Sequence, residues 1–157
     1  MIMPRRKAPP HMPPLSFGNR SEIFFLTVCT RRKKALLARQ DVHTLLIESW
    51  RKANSWLVGR YVLLPDHLHL FCAQQSEIVS IQHWCAYWKR LCSKNWPRPG
   101  EYPIWQKNLW DTQVRSADWY EARWQYVLQN PVRHGLVTEP DLWPYKGELN
   151  VLEWHDP

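Results

Sequence analysis

The sequence predicts an α+β protein with the ferredoxin-like element order βαββαβ, in which an antiparallel sheet carries helices on one face and a further C-terminal helix follows. Three observations predict this class. Short β-rich segments alternate with segments whose apolar residues recur at helical spacing. These segments follow one another as strand, helix, strand, strand, helix, strand and helix. A chain of 157 residues, 45% of them hydrophobic, suits one domain with a substantial core.

The first half of the chain predicts a strand, then a helix, and then a hairpin of two strands. Residues 23–30 form a short apolar run rich in β-branched and aromatic side chains, which is typical of a buried strand. Asp41 is the expected N-cap of the first helix, because apolar residues follow it at helical spacing. The next strand, 56–64, should place one set of alternating residues on a common face: Trp56, Val58, Arg60, Val62 and Leu64. Pro65-Asp66 forms a turn, and 67–73 is the return strand.

The second half predicts helix, strand and helix. Ser76 is the expected cap of the second helix, whose buried face would comprise Ile81, Cys85, Trp88 and Cys92. A Pro- and Gly-rich link precedes a strand at 105–114. Ser116 or Asp118 should open the third helix, and Asn130-Pro131 should end it, because proline disfavours the α conformation in the residue before it. Trp84, Trp88 and Trp124 are the tryptophans expected in the core.

The ends of the chain differ in composition from its middle. Residues 1–20 contain five prolines together with basic residues, which indicates a flexible basic arm. Residues 21–145 are the predicted domain, and 146–157 an irregular tail. Residues 1–39 hold nine Lys and Arg against Glu22 alone, which gives this segment a charge of +8. Because the whole chain carries +7, the remaining residues have a net charge near −1. This favours a polyanionic partner, nucleic acid before an acidic membrane surface, although a solubilising tail explains the charge equally well.

Several classes of protein are disfavoured by the sequence. The four cysteines lack CxxC spacing, so we expect reduced core thiols in a reducing compartment rather than a cysteine zinc site. No apolar run approaches the roughly 20 residues of a membrane span, and the N-terminus lacks an apolar signal segment. The protein is therefore expected to be soluble and cytoplasmic. Monomer and homodimer both remain open.

Two pairs of residues carry the candidate chemistry. His67 and His69 are two apart on a strand and project to the same face, where two imidazoles form half of a metal site. The alternative is a half-exposed strand that happens to alternate polar and apolar residues. Tyr126 and Asn130 are four apart on a helix and share a side, with Arg123 adjacent. Taken alone, Tyr126 reads as a packing tyrosine and Asn130 as a helix-end residue.

Together these segments resemble a known family. Leu64-Pro65-Asp66-His67-Leu68-His69 resembles the histidine–hydrophobe–histidine strand of the HUH endonucleases. The run from Tyr126 to Gly135, Tyr-Val-Leu-Gln-Asn-Pro-Val-Arg-His-Gly, resembles the tyrosine helix and Asn-Pro-Val-Arg/Lys-x-Gly ending of the REP-associated tyrosine transposases. Phe24–Val28 is similar to their first strand and Trp105–Val114 to their fourth. The resemblance covers about residues 21–145.

The resemblance implies a metal-dependent endonuclease and strand transferase acting on single-stranded or hairpin DNA, with the bacterial nucleoid as its place of action. It implies that Tyr126 is the nucleophile, that His67 and His69 are metal ligands, and that the Asn130 amide is the third ligand. Imidazoles alone would favour zinc or another late transition metal, whereas the family implies one Mg²⁺ or Mn²⁺ ion. Arg123 is expected to steady the phosphate, to lower the pKa of the phenol, or to form a salt bridge with Glu121 or another acid. The residues expected to hold DNA are Arg31, Arg32, Lys33, Lys34, Lys89, Arg90 and Arg123.

Two other functions compete with this interpretation. One is a nucleic-acid-binding module that keeps the fold and has lost cleavage. The other is a histidine-triad nucleotide hydrolase, because His67-Leu68-His69 resembles part of that signature. The triad requires a third histidine where this chain has Phe71.

Overall fold

A computed structural model describes residues 22–76 and 78–154 of the chain. It shows one antiparallel sheet of five strands in the order β4-β1-β3-β2-β5. The elements are β1 Ile23–Thr30, α1 Gln40–Lys52, β2 Trp56–Leu63, β3 His67–Gln74, α2 Ile81–Lys94, β4 Trp105–Gln113, α3 Ala117–Leu128, α4 Asn130–Arg133 and β5 Lys146–Glu148. The predicted α+β class is confirmed. The predicted basic arm, 1–20, lies outside the described residues.

Helices α1 and α2 pack on one face of the sheet and α3 packs on the other. The α1/α2 face holds the larger core, in which Trp50, Trp84 and Trp88 are almost fully buried. The Trp84 indole N–H donates to the backbone oxygen of Ala53 at 2.7 Å, so its polar atom is satisfied within the core. The predicted buried face of α2 is confirmed. Trp124 of α3 is only partly buried, against the smaller core.

Strand β2 does not keep the single face predicted for it. Trp56 and Val58 face α1 and α2, but the register shifts between Val58 and Tyr61, and Arg60 then faces α3. Val62 and Leu64 likewise join the core beneath α3. A bulge inserts one extra residue and reverses the alternation after it. Gly59 lies in this bulge, and a Cβ there would be 2.7 Å from Cδ1 of Leu152, so a larger residue would require that side chain to move.

Two of the predicted helix starts are wrong. Ser80, and not Ser76, caps α2, since its Oγ accepts the His83 N–H at 3.1 Å. Helix α1 follows Arg39, and Asp41 lies in its first turn. The predicted Ser116 cap of α3 is confirmed by its hydrogen bond from the Trp119 N–H at 3.1 Å. Helix α3 ends at Leu128, and Asn130-Pro131 begins α4 instead of closing α3.

The segment 146–157 was expected to be irregular, but Lys146–Glu148 form β5 on the outer edge of β2. Gly147 permits this pairing because a Cβ at that position would be 2.8 Å from the hydroxyl of Tyr61. The Trp143 indole N–H donates to the backbone oxygen of Leu63 at 2.8 Å and anchors the approach to the strand. A segment of three residues without an apolar alternation gives no strand signal in the sequence. The strand forms because β2 provides an edge with which it can pair.

All four cysteines are free and buried, as predicted. Burial raises the pKa of the Cys29 thiol to about 11 and those of Cys85 and Cys92 to about 12. The pKa of Cys72 is also raised by burial. Among the residues described, none of the helices has the length and apolar character needed to cross a bilayer.

Candidate active site

Two histidines lie side by side on β3, on the sheet face that α3 covers. His67 and His69 are 2% and 3% exposed, and their ring centroids are 4.9 Å apart with the planes at 82°. Between them, Leu68 points into the opposite core. The strand alternation predicted from the sequence therefore places both imidazoles on the same face of a central strand.

A neighbouring oxygen holds each imidazole through its Nδ1. His67 Nδ1 lies 2.7 Å from Oδ1 of Asp66, and His69 Nδ1 lies 2.9 Å from the hydroxyl oxygen of Thr27. The hydrogen bond with His67 lowers the pKa of Asp66, so this carboxylate is ionised and accepts the Nδ1 proton. The Thr27 hydroxyl can accept from His69 in the same way. This arrangement leaves each Nε2 with a free lone pair facing the site.

Both Nε2 atoms are buried, and neither has a hydrogen-bond partner in the described part of the chain. Burial pushes the pKa of His69 well below its ordinary value, and the nearby charges of His67, Arg123 and Arg133 lower it further. Phe25 stacks on the same ring, with centroids 5.3 Å apart. At neutral pH His69 is therefore a neutral imidazole, which is the form that binds a metal ion.

Tyr126 lies on α3, the helix that packs against the histidine face. The helix buries Tyr120 and Val127 in the core beneath it, whereas the Tyr126 side chain is 42% exposed. Two guanidinium groups flank its ring, with Cζ of Arg133 3.9 Å and Cζ of Arg123 5.6 Å from the centroid. The phenol is thus open to a ligand and lies in a cationic environment on the helix that packs against the histidine face.

Arg133 joins Tyr126 to Asn130, a link that the sequence reasoning missed. Its guanidinium donates to the backbone oxygen of Tyr126 at 2.5 Å and to Oδ1 of Asn130. Asn130 is fully buried, and its Nδ2 has no partner among the residues described. Both residues therefore contact Arg133, but they do not share one face of a single helix as predicted, because Asn130 begins α4 and is buried whereas the Tyr126 side chain is exposed. Arg133 lies inside the recognised motif, but nothing in the motif indicates which atoms it contacts.

His134 is a second residue that the sequence reasoning missed. Its ring centroid lies 6.2 Å from that of His67, and its Nε2 is buried without a hydrogen-bond partner in the described ranges. The His134 backbone N–H donates to the oxygen of Asn130 at 3.0 Å, which fixes the turn that carries both side chains. Its position four residues after Asn130 was the available signal, because α4 continues the helical path past Gln129.

Arg123 does not pair with Glu121, the partner considered for it from the sequence. Glu121 instead pairs with Arg60 at 3.0 Å. The Arg123 guanidinium lies over the rings of Trp119 and Phe25, with Cζ 5.0 and 5.6 Å from their centroids. Stacking against rings leaves the in-plane N–H donors of a guanidinium available to an anion.

The other predicted DNA-binding residues fall in two places. Residues 31–34 follow β1 beside the turn that precedes His67, because the Thr30 N–H donates to the oxygen of Asp66 at 2.9 Å. Arg31, Arg32 and Lys33 are exposed there. Lys89 and Arg90 lie on α2, across the sheet from the histidines. The structure therefore brings the basic loop to the histidine end of the sheet but does not bring Lys89 and Arg90 to the histidine face.

The side chains present fit one metal ion held by nitrogen and oxygen donors. Within the described ranges, no three His, Cys, Asp or Glu side chains are close enough to hold an ion by themselves. The candidate donor set is instead the pair of Nε2 atoms of His67 and His69 together with the Asn130 amide, which is the third ligand that the resemblance implies. Histidines that bind a metal ion usually use one ring nitrogen for the ion, while the other nitrogen is hydrogen-bonded to an oxygen. His67 and His69 have this arrangement.

Comparison with solved structures finds the same fold in two other proteins. The chain superposes with a TM-score of 0.69 and 23% identity on a REP-associated tyrosine transposase whose structure was solved bound to a REP hairpin, covering 93% of this chain and 82% of that one. A Deinococcus radiodurans r1 protein assigned as a transposase superposes with a TM-score of 0.53 and 15% identity, covering 74% of this chain and 95% of that one. At these identities the likeness establishes the fold.

Sequence comparison with curated relatives establishes the family. A Haemophilus influenzae (strain ATCC 51907 / DSM 11121 / KW20 / Rd) protein assigned to the REP-associated tyrosine transposases is 30% identical over 156 residues, covering 83% of this chain and 85% of its own length. The REP-associated tyrosine transposase of Escherichia coli (strain K12) is 23% identical over 125 residues, covering 78% and 73%. No family model matches the chain. The chain belongs to the REP-associated tyrosine transposase family.

Proposed function

We propose that this protein is a metal-dependent single-strand DNA endonuclease and strand transferase that acts on REP-type hairpins through Tyr126. The observation that carries the proposal is the position of Tyr126, which is exposed between two guanidinium groups on the helix that covers the histidine pair. Family membership and the REP hairpin bound by the structural neighbour support the choice of DNA.

The reaction is a transesterification at one phosphodiester. The Tyr126 oxygen attacks phosphorus while the bond to the 3′-oxygen breaks, which leaves a 5′-phosphotyrosine and a free 3′-hydroxyl. The phenol loses a proton and the leaving oxygen gains one, so the step is balanced without any cosubstrate. Because the phosphoester is exchanged rather than hydrolysed, a later 3′-hydroxyl can reverse the step and join strands.

His67 and His69 would hold the metal through Nε2, and Asn130 would be the third ligand. A bound Mg²⁺ or Mn²⁺ ion, which the family resemblance implies, would act there as a Lewis acid on the phosphate. Oδ1 of Asn130 accepts a hydrogen bond from Arg133, and its second lone pair is available to a metal. Asn130→Ala should therefore weaken Mn²⁺ binding in calorimetric titration. A loss of thermal stability with unchanged Mn²⁺ affinity would instead make Asn130 a structural residue at the helix end.

Arg123 and Arg133 are the groups we expect to bind the scissile phosphate. Both lie within about 6 Å of the Tyr126 ring, and both lower the pKa of His69 through their charge. A guanidinium group next to a phosphate stabilises the negative charge that is redistributed over its oxygens during the transfer. Residues 31–34 would extend this cationic surface to the DNA backbone at the same end of the sheet.

The experiment that tests the proposal is adduct formation with a labelled REP-type hairpin that has single-stranded flanks, in the presence of Mn²⁺. The expected result is a covalent protein–DNA band that is absent in Tyr126→Phe. His67→Ala and His69→Ala should also abolish the band while leaving DNA affinity within about twofold. Tyr102→Phe, which changes another tyrosine that is 42% exposed, is the matched control.

Two results would overturn parts of the proposal. DNA binding by the wild-type protein without any adduct would identify a binding module that has lost cleavage. An adduct retained in both histidine variants would remove the metal assignment. The histidine-triad alternative has no support in the site, because Phe71 is 1% exposed and packs edge-on against Tyr120, where that alternative requires a third histidine.

A further inference from the structure

A groove between α2 and β4 lies across the sheet from the histidine pair. It encloses about 460 Å³, and its walls include Lys89, Arg90, Lys107, Trp105, Gln82 and Asn108. The volume is typical of pockets that take small organic ligands. A space of this volume can take unpaired nucleotides but cannot enclose a duplex.

The groove presents hydrogen-bond donors and positive charge without a balancing acid. Three of its lining residues are Lys or Arg, and none of those the structure describes is Asp or Glu. Trp105 is also a lining residue, and its indole N–H is buried and has no acceptor within the described ranges. The chemistry that complements this lining is an acceptor-rich anion.

Lys89 is the most deeply placed of these cations. Its ammonium donates to the backbone oxygen of Gln106 at 3.0 Å, and burial lowers its pKa. Arg90 and Lys107 are exposed at the rim. The guanidinium of Arg90 lies over the Tyr87 ring at 5.7 Å, which provides a flat surface beside the groove.

The groove leads to the end of the sheet where the candidate active site begins. Trp105, at the start of β4, pairs with Thr30, and the Arg31 N–H donates to the oxygen of Ile104 at 2.8 Å. Thr30 in turn is bonded to Asp66, next to His67. The basic loop 31–34 therefore connects the groove to the histidine face around one end of the sheet.

We propose that this groove binds an unpaired flank of the same DNA that is cut on the opposite face. Its cations hold phosphates, and Gln82 and Asn108 present amides to base edges. The inference rests on the proposed function for the identity of the DNA. Charge complementarity and the small volume of the groove favour a single strand over a duplex or an acidic protein surface.

The test uses fluorescence anisotropy with two probes, a REP-type hairpin with blunt ends and the same hairpin with single-stranded flanks. The charge-reversed variant Arg90→Glu/Lys107→Glu should bind the flanked probe at least tenfold more weakly and the blunt hairpin within about twofold. The slope of log affinity against log salt for the flanked probe should fall by about 1.4, since each of two lost phosphate contacts contributes about 0.7 on a single strand. Arg51→Glu/Lys52→Glu, with the same charge change on exposed sites of α1, is the control.

Three results would overturn the inference: unchanged affinity for the flanked probe, equal loss for both probes, or equal loss in the control variant. If the variant instead alters the mass measured by light scattering while its affinity for the flanked probe is unchanged, the groove is a contact between protein copies. Arg90→Gln/Lys107→Gln should show a smaller loss in the same direction if the charge reversal impairs folding. Adduct formation by the wild-type protein is scored separately, so failure of the chemistry and failure of the groove give different results.

Discussion

Replacing Arg60 with methionine should loosen α3, the helix that carries Tyr126, without unfolding the rest of the protein. Arg60 lies in the bulge of β2, and its guanidinium pairs with Glu121 of α3 at 3.0 Å and with Glu148 of β5 at 3.5 Å. The same group lies 5.5 and 5.6 Å from the ring centroids of Tyr120 and Trp124 on α3. One side chain therefore links the sheet to the helix in several ways.

The expected magnitude follows from the exposure of each contact. The Glu121 side chain is 56% exposed, so its ion pair contributes only about 0.5 kcal/mol. The two contacts with aromatic rings contribute roughly 0.5 kcal/mol each at this depth. Methionine keeps the aliphatic packing and loses the charge, which gives a loss of about 1.5 kcal/mol. That loss corresponds to roughly tenfold more frequent local opening of α3.

Native-state hydrogen exchange measures this opening directly. Amides of α3 should exchange roughly tenfold faster in Arg60→Met, while those of α1 on the opposite face stay within about twofold. Glu148→Gln removes only the longer ion pair and should change α3 exchange by less than about threefold. Unchanged protection of α3 in Arg60→Met, or an equal increase in α1, would show that this contact does not hold the helix in place.

Three further predictions concern the metal site, the core and pH. Asp66→Asn should weaken Mn²⁺ binding about 10- to 100-fold in calorimetric titration, because His67 loses the carboxylate that orients it; Asp118→Asn, at an exposed site, should have no effect, and equal affinities would contradict the assignment. Phe71→Ala should lower the urea unfolding free energy by about 3–5 kcal/mol, since this ring is 1% exposed; a loss below about 1 kcal/mol would mean that the cavity collapses. A hydrogen bond from Arg39 lowers the pKa of Glu101 to about 2, so Glu101→Gln should cost about 1.5 kcal/mol at pH 7 after solvent screening. That difference should disappear as pH falls from 4.5 to about 2, because the unfolded state takes up the proton first; a constant difference across this range would refute the linkage.

The sequence predicted the elements whose signal is local. The apolar run of β1, the hairpin through Pro65-Asp66 and the buried face of α2 depend on periodicities of two and 3.6 residues, which burial enforces directly. The alternation on β3 also placed His67 and His69 on one face before any coordinates were known. Recognition of the family motifs then indicated that Tyr126 would lie on that same face.

The parts that the sequence did not predict depend on tertiary contacts. The bulge at Gly59 packs against Leu152, almost a hundred residues later in the chain. Strand β5 pairs with an edge that β2 provides. The contacts of Arg133 and His134 depend on the backbone path between α3 and α4, which the motif alone does not give.

The buried thiols provide a way to follow opening of this protein without an added label. Alkylating reagents react with thiolate, and burial keeps the pKa values of Cys29, Cys85 and Cys92 near 11 to 12. At pH 8 the native protein should therefore be almost inert to iodoacetamide, and modification should record the moment at which each site opens. Because Cys29 and Cys72 lie in β1 and β3, whereas Cys85 and Cys92 lie in α2, mass spectrometry of the alkylated peptides would reveal whether the sheet and the helix open together or in sequence.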